Sequence, residues 1–128
     1  MASIEIVPEY QTGVGNLDFM FVGIVKDRGI VKLCAEFKPA HSTDVFRGLE
    51  IQLPTYMRNK EVQYGAYCIL GFKGQWFENP RDKSLDDLFH ELQIARIRQQ
   101  TPESKNIRVF MYDLSKPESA SKRIRPPA

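Results

Sequence analysis

The chain has 128 residues, a length that suits one globular domain. Its residues are 42% hydrophobic and 11% aromatic, which supplies enough apolar side chain for a packed core and excludes wholesale disorder. The net charge of +2 is too small to indicate a nucleic-acid partner by itself. The longest apolar runs are interrupted within a few residues, so the sequence predicts no membrane-spanning segment and no membrane partner.

The two cysteines, Cys34 and Cys68, both lie in apolar segments. Two cysteines form neither a disulfide framework nor a zinc motif, and we interpret them as buried thiols in a reducing compartment. The first residues, Met-Ala-Ser-Ile-Glu, lack the basic-then-apolar pattern of a secretory leader. We therefore expect a cytoplasmic location.

Hydrophobic periodicity and chain breakers predict the element order β-β-β-α-β-α-β. The predicted strands cover residues 3–7, 17–25, 30–37, 64–72 and 107–113, and the predicted helices cover residues 43–59 and 84–99. Loops are predicted at 11–16 and 74–83. A meander followed by two crossovers indicates an α/β fold, with a mixed central sheet flanked by helices. The strand at 64–72 is apolar on both of its faces, as expected for a central strand covered on both sides.

The second predicted helix has a recognisable start and a clear apolar face. Ser84-x-x-Asp87 resembles a capping box, with Asp in place of the usual Glu. The apolar face comprises Leu85, Leu88, Phe89, Leu92 and Ala95. We assign residues 1–115 to one domain and residues 116–128 to a basic, flexible tail.

The hairpin between the second and third strands brings charged residues together. Asp27-Arg28-Gly29 fits a three-residue loop, which pairs residue 26 with residue 30 and Asp18 with Lys38. Asp18, Glu36 and Lys38 then share one face, because side chains alternate along a strand. A two-residue turn would instead place Asp18 and Glu36 on opposite faces.

The other face of this hairpin is predicted as core. Its apolar residues include Phe19, Phe21, Leu33 and Phe37, which we expect to be largely buried, as we also expect for Ile69 and Leu92.

Two carboxylates that meet in a half-apolar setting repel each other and lose hydration. One interpretation is a divalent cation held by Asp18 and Glu36, with Lys38 beside it to hold a water or an anionic group. The other is a salt bridge of Lys38 with the two acids. The strand pattern alone supports the cation site and the salt bridge about equally.

The following helix adds two polar residues. Gln52 and Tyr56 are four residues apart and therefore share one helical face, beside Leu49 and Leu53. Pro54 lies between them and removes a helix hydrogen bond, so we expect a kink there or a helix that starts near Gln52.

Three motifs together resemble the PD-(D/E)xK nuclease superfamily, with its restriction-endonuclease-like fold. They are Asp18 at the start of a strand, Glu36-x-Lys38 on the next strand, and Gln52-x-x-x-Tyr56 on the helix that follows. The last is similar to the Gln-x-x-x-Tyr motif of RecB-like branches, and the resemblance implies that Gln52 and Tyr56 position metal or substrate.

The resemblance implies a metal-dependent nuclease that hydrolyses phosphodiester bonds. Asp18, Glu36 and the backbone carbonyl of Phe37 would hold Mg²⁺ or Mn²⁺, and Lys38 would orient or help to deprotonate the attacking water. The implied partner is nucleic acid, DNA ahead of RNA. The alternatives are an RNA-cleaving toxin-like domain on the same fold and a non-catalytic nucleic-acid-binding or assembly module.

The sequence departs from the superfamily at its start. Active members usually have a helix before the first core strand, often with a further acidic residue, and here only Glu9 could stand in for that acid. The chain would then either dispense with the helix or be part of a longer protein. Many enzymes of this kind act as homodimers.

Overall fold

The structure of the protein is a computed structural model that describes residues 3–8, 11–12, 15–16, 19–72 and 84–114, the first three ranges as backbone only. In these ranges the strands are β1 (Ser3–Pro8), β2 (Gln11–Thr12), β3 (Gly15–Asn16), β4 (Phe19–Val25), β5 (Gly29–Pro39), β6 (Tyr64–Gly71) and β7 (Ile107–Asp113). The helical segments are α1 (Val45–Arg47), a π-helical segment (Gly48–Gln52), α2 (Leu53–Asn59), α3 (Leu85–Gln99) and α4 (Pro102–Lys105).

These bounds confirm the predicted order of the main strands and helices. Within residues 11–16, predicted as a loop, β2 and β3 pair as a small antiparallel ribbon. The predicted loop at 74–83 and the predicted tail at 116–128 lie outside the described residues. Within the described ranges, every helix is too short or too polar to cross a lipid bilayer.

Five of the strands form one mixed sheet in the order β1-β4-β5-β6-β7. β1, β4 and β5 are antiparallel neighbours, as expected for strands joined by short connections. β6 and β7 each run parallel to the strand before them and are reached through helical crossovers. The molecule is therefore an α/β protein with a mixed sheet, as the sequence predicts.

The hairpin between β4 and β5 has a different register from the predicted one. Val25 pairs with Gly29 and Ile24 with Ile30, so the loop is centred on Asp27 rather than on Arg28. Asp27 has a positive φ of 74°, which aspartate tolerates better than most residues, and Gly29 has a φ of 77°. The prediction that residue 26 pairs with residue 30, which set Asp18 opposite Lys38, is therefore wrong. The register moves by two positions, so the residues that share a face stay the same.

The helices lie on one face of the sheet, not on both. β5, β6 and β7 are consecutive in the chain and adjacent in the sheet, and crossovers of the usual right hand that advance in one direction stay on one side. The buried core joins Cys34, Tyr67 and Val109 of this sheet face to Leu53 of α2 and Leu92 of α3. The described helices therefore flank the sheet on one face, and helices on its other face stay a prediction.

The opposite face of the sheet keeps exposed aromatic rings. Phe19 is 40% exposed and Phe37 38% exposed, and their rings meet edge to face with centroids 6.0 Å apart. The prediction that these two residues are largely buried is wrong, because no helix of the described chain covers their face. Ile69 and Leu92, on the helix-covered side, are fully buried as predicted.

The first predicted helix changes its winding at Pro54. In the π-helical segment the N–H of Leu53 donates to the carbonyl of Gly48, one residue further back than in an α-helix. Pro54 is the second residue of α2, in its first turn, where a missing N–H costs little. The expected disturbance at Pro54 is thus a widened turn that ends at Gln52, the N-cap of α2.

The start of α3 is confirmed. Ser84 is its N-cap, and the Ser84 hydroxyl accepts a hydrogen bond of 3.1 Å from the backbone N–H of Asp87. Leu88 and Leu92 of this helix are fully buried, so its predicted apolar face is the one that packs on the sheet.

We expect Leu92→Ala to lower the free energy of unfolding by about 2–5 kcal/mol, because it removes a buried side chain and leaves a cavity. Ile97→Ala is a matched control on the same helix, since Ile97 is 61% exposed, and it should have little effect. Urea denaturation followed by circular dichroism measures both. Equal losses for the two variants would mean that a different face of α3 packs on the sheet.

Candidate functional site

The candidate site is built around Glu36 on β5. Glu36 lies on the sheet face that the helices cover and is only 5% exposed, which is unusual for a carboxylate. The Nζ atom of Lys38, two residues along the same strand face, lies 3.8 Å from the Oε1 atom of Glu36. The structure thus brings together two of the predicted site residues as an ion pair near the carboxyl end of β5.

The ion pair is largely removed from solvent. The side chain of Glu36 is 7% exposed and that of Lys38 19% exposed. A pair at this depth is screened less by water and salt than a surface pair, and the loss of one partner would remove this interaction from the other charge. Lys38 remains the member that solvent can reach.

Tyr67 of β6 is the neighbour of Glu36 in the parallel ladder and shares its face. It is fully buried, and its hydroxyl donates a hydrogen bond of 2.6 Å to the backbone carbonyl of Val45 in α1. Gly48 lies over the same ring, and a Cβ at that position would collide with the Tyr67 hydroxyl. Glycine therefore permits the close approach of the helix to the sheet at this site.

The buried position of Tyr67 changes the pKa of its hydroxyl. Burial raises the pKa of Tyr67 above its ordinary value, and the negative charges of Glu36 and Asp44 raise this pKa further. The phenol therefore keeps its proton and acts as a hydrogen-bond donor throughout the physiological range. Tyr67 had no place among the predicted site residues, because only the parallel register shows that it lies beside Glu36.

Gln52 and Tyr56 belong to the helical layer over the same sheet face. Tyr56 is 4% exposed and is part of the core that includes Tyr67. Gln52, at the junction of the π-helical segment and α2, is half-buried. The helix crosses β6 at Gly65, where a Cβ would lie 2.8 Å from the Sδ atom of Met57.

The remaining predicted site residues, Asp18 and Glu9, lie outside the described residues. Phe19, the residue after Asp18, pairs with Ala35, the residue before Glu36. Where the structure is described, no three histidine, cysteine or acidic side chains form a group that could hold a metal ion. Among the described residues, Glu36 is the acidic residue that is buried, and Asp18 stays a prediction.

The site combines the Glu36 carboxylate as an acceptor, the Lys38 ammonium as a cation and the Tyr67 hydroxyl as a donor fixed on Val45. The Glu36 carboxylate can bind a cation or accept a proton. Lys38 carries three donors that can hold a water molecule or an anionic oxygen. Carboxyl ends of parallel strands are the usual place for ligands in open α/β sheets, and both residues lie there.

A comparison with protein families gives a match that spans the described residues of the candidate site. A family model described as "Domain of unknown function (DUF8371)" matches residues 1–74. Because this match covers more than half of the 128 residues, the chain belongs to that family. The matched range runs from β1 through β6 and includes Glu36, Lys38, Gln52 and Tyr56. A comparison with curated proteins gives no match.

We expect Lys38→Met to lower the free energy of unfolding by about 1–3 kcal/mol, because it removes the ammonium group that lies 3.8 Å from the buried Glu36 carboxylate. The double variant Glu36→Gln/Lys38→Met should lose less than the sum of the two single variants, with a coupling of about 0.5–3 kcal/mol. Urea denaturation at neutral pH gives the values. Lys60→Met, at an exposed lysine after α2, is the control. Additive effects at Glu36 and Lys38 would show that the ion pair contributes nothing.

We expect the stability of the protein to fall above about pH 10, the ordinary pKa of tyrosine. There the unfolded chain releases the Tyr67 proton while the folded protein retains it, so each pH unit costs about 1.4 kcal/mol. Tyr67→Phe should remove this part of the pH dependence. It should also cost about 0.5–1.5 kcal/mol at neutral pH through the lost hydrogen bond to Val45. Urea denaturation between pH 8 and pH 11 measures both, and an unchanged slope for Tyr67→Phe would contradict the assignment.

Proposed function

We propose that this protein is a metal-dependent nuclease of the restriction-endonuclease-like fold that hydrolyses phosphodiester bonds in DNA. The observation that carries the proposal is the buried Glu36 carboxylate, 3.8 Å from the Lys38 ammonium, at the carboxyl end of β5. A buried acid beside a reachable lysine is a costly arrangement, and phosphodiester hydrolysis gives each group a task.

The order of elements supports the same fold. An antiparallel meander of β1, β4 and β5 leads into a helical crossover and then a strand parallel to β5. The Glu36-x-Lys38 motif lies on the last strand of the meander, and Gln52-x-x-x-Tyr56 lies on the crossover helix. This is the placement that the resemblance to PD-(D/E)xK nucleases leads us to expect.

The proposal assigns a Mg²⁺ or Mn²⁺ ion to Asp18, Glu36 and the backbone carbonyl of Phe37. Oxygen ligands suit both ions, and the buried Glu36 carboxylate fits such a ligand set. The metal would supply a stabilising charge for the phosphate oxygens as negative charge develops on them. The proposal requires Asp18 to reach Glu36, which the pairing of Phe19 with Ala35 favours.

Each neighbouring side chain has a role in this scheme. Lys38 orients the attacking water and donates to a phosphate oxygen, since its ammonium group is the accessible member of the ion pair. Gln52 and Tyr56 position the metal or the substrate from the helix above. Tyr67 keeps β6 fixed against α1 and thereby holds the strand next to Glu36 in place.

We propose the cytoplasm as the compartment. Cys34 and Cys68 are both buried as thiols, which suits a reducing environment.

A second candidate function is a non-catalytic assembly module. It is favoured by the exposed aromatic rings of Phe19, Phe37, Phe110 and Tyr112, which are between 38% and 45% exposed. Exposed apolar patches of several hundred Å² commonly mark protein–protein contacts. In that case the Glu36–Lys38 pair would have a purely structural role.

We expect the purified protein to cleave DNA in the presence of Mg²⁺ or Mn²⁺ and to lose this activity in EDTA. Plasmid, linear duplex and single-stranded DNA, together with RNA, would be incubated with the protein and analysed by gel electrophoresis. Asp18→Asn and Glu36→Gln should abolish cleavage, and Lys38→Ala should reduce its rate while metal-induced thermal stabilisation remains. Asp27→Asn, in the exposed hairpin loop, is the matched control and should cleave normally.

The outcomes separate the candidates. Cleavage of RNA alone would favour the toxin-like alternative on the same fold. Absence of cleavage of every substrate, together with no metal-induced shift of the melting temperature, would rule out the nuclease and leave the assembly module.

A further inference from the structure

A groove lies between the first turns of α3 and the edge strand β7. It has a volume of about 560 Å³, and its apolar wall includes Leu85, Phe89, Val109, Phe110 and Met111. Two carboxylates, Asp86 and Asp113, line it as well. The groove is therefore apolar along its floor and acidic at its margin, and it is separate from the Glu36 site.

β7 is the last strand of the five-stranded sheet, so its outer edge has no sheet partner in the described chain. Such an edge offers backbone N–H and C=O groups to an extended segment. Beside it, the side chains of Leu85, Phe89 and Met111 are half-buried, so apolar surface is available next to these backbone groups. An extended segment with an apolar side chain and positive charges would suit both features of the groove.

The chain itself continues from this groove. Asp113 is both a groove residue and the last residue of β7, and the Leu114 N–H donates to the Gly71 carbonyl at 2.7 Å. The described chain therefore ends beside one end of the groove, and residues 115–128 follow in the sequence. They contain four basic residues, Lys116, Lys122, Arg123 and Arg125, and one acid, Glu118, so their side chains carry a net charge of 4 − 1 = +3.

We propose that the C-terminal segment 122–125, Lys-Arg-Ile-Arg, of the same chain binds in this groove. Ile124 lies on the apolar floor, and the flanking basic side chains lie against Asp86 and Asp113. The positive end of the α3 dipole amounts to about half a charge, and the carboxylates of Asp86 and Asp87 in the first turn outweigh it.

Segment 122–125 is the favoured occupant because it belongs to the same chain as the groove. Ile124 is ten positions after Leu114 in the sequence, and this stretch can span about 33 Å when extended, which leaves ample length to turn back. A short connection also gives an effective concentration of about millimolar order, so contacts that are weak between separate molecules are populated within one chain.

The test uses the full chain with Ile124→Cys and measures the rate at which a soluble thiol reagent modifies the new thiol. Ala128→Cys, beyond the basic segment, is the matched control. Background reaction is low because Cys34 is 0% and Cys68 6% exposed. We expect the Ile124→Cys variant to react about three- to tenfold more slowly than the Ala128→Cys variant at low salt. That protection corresponds to about 0.7–1.4 kcal/mol.

The charges at the groove provide the specific control. Asp86→Asn/Asp113→Asn should bring the rate of the Ile124→Cys variant up to that of Ala128→Cys, and about 1 M NaCl should reduce the difference by screening. Asp27→Asn removes a carboxylate from the distant hairpin and should leave the protection intact. Equal rates for the two thiols at low salt would overturn the proposal. Protection that grows with protein concentration would also overturn it, because the occupant would then come from a second copy of the chain.

Discussion

The parallel ladder of β5, β6 and β7 determines the rest of the structure. Adjacent parallel strands need long connections, and here both connections contain helices. Because the two crossovers advance in the same direction, their helices pack on the same face of the sheet. One face thus becomes the buried core, and this places Glu36 under the helices while it leaves Phe19 and Phe37 on the side that no helix of the described chain covers.

The buried face contains an acid that burial alone would not favour. Removal of Glu36 from water costs free energy, and the Lys38 ammonium at 3.8 Å offsets part of this cost. The negative charge also acts on Tyr67, whose protonated hydroxyl connects β6 to α1 through the Val45 carbonyl. Gly48 and the π-helical turn allow the helix to approach the sheet at this point. The candidate site therefore depends on the Glu36–Lys38 ion pair, on the Tyr67 hydrogen bond and on the close approach of the helix to the sheet.

The surfaces that remain exposed are the ones available for recognition. The sheet face away from the described helices has exposed aromatic rings, and the edge of β7 has an apolar groove with acidic residues. Both lie apart from the Glu36–Lys38 pair, which is reached from the carboxyl end of β5. A nuclease with this arrangement would engage its substrate at the strand ends, and assembly or regulation would use the other surfaces.

Local sequence determined the types of the elements and much of the core. Leu88 and Leu92 recur at helical spacing, and Ser84 caps the helix that contains them, so both the helix and its buried face could be predicted. The Glu36-x-Lys38 spacing places both side chains on one strand face in any register, which is why their proximity was also predictable.

Tertiary structure decided the features that depend on distant residues. The hairpin register followed from the positive φ of Asp27, which moved the turn by one residue, although Gly29 alone pointed to a turn centred on Arg28. Which sheet face is core could not be read from apolar side chains, because both faces of the hairpin are rich in them. The core face was decided by the helices of the two crossovers, which pack on the same side of the sheet. Tyr67 became a neighbour of Glu36 through the parallel register, a long-range pairing that no local pattern of the sequence encodes.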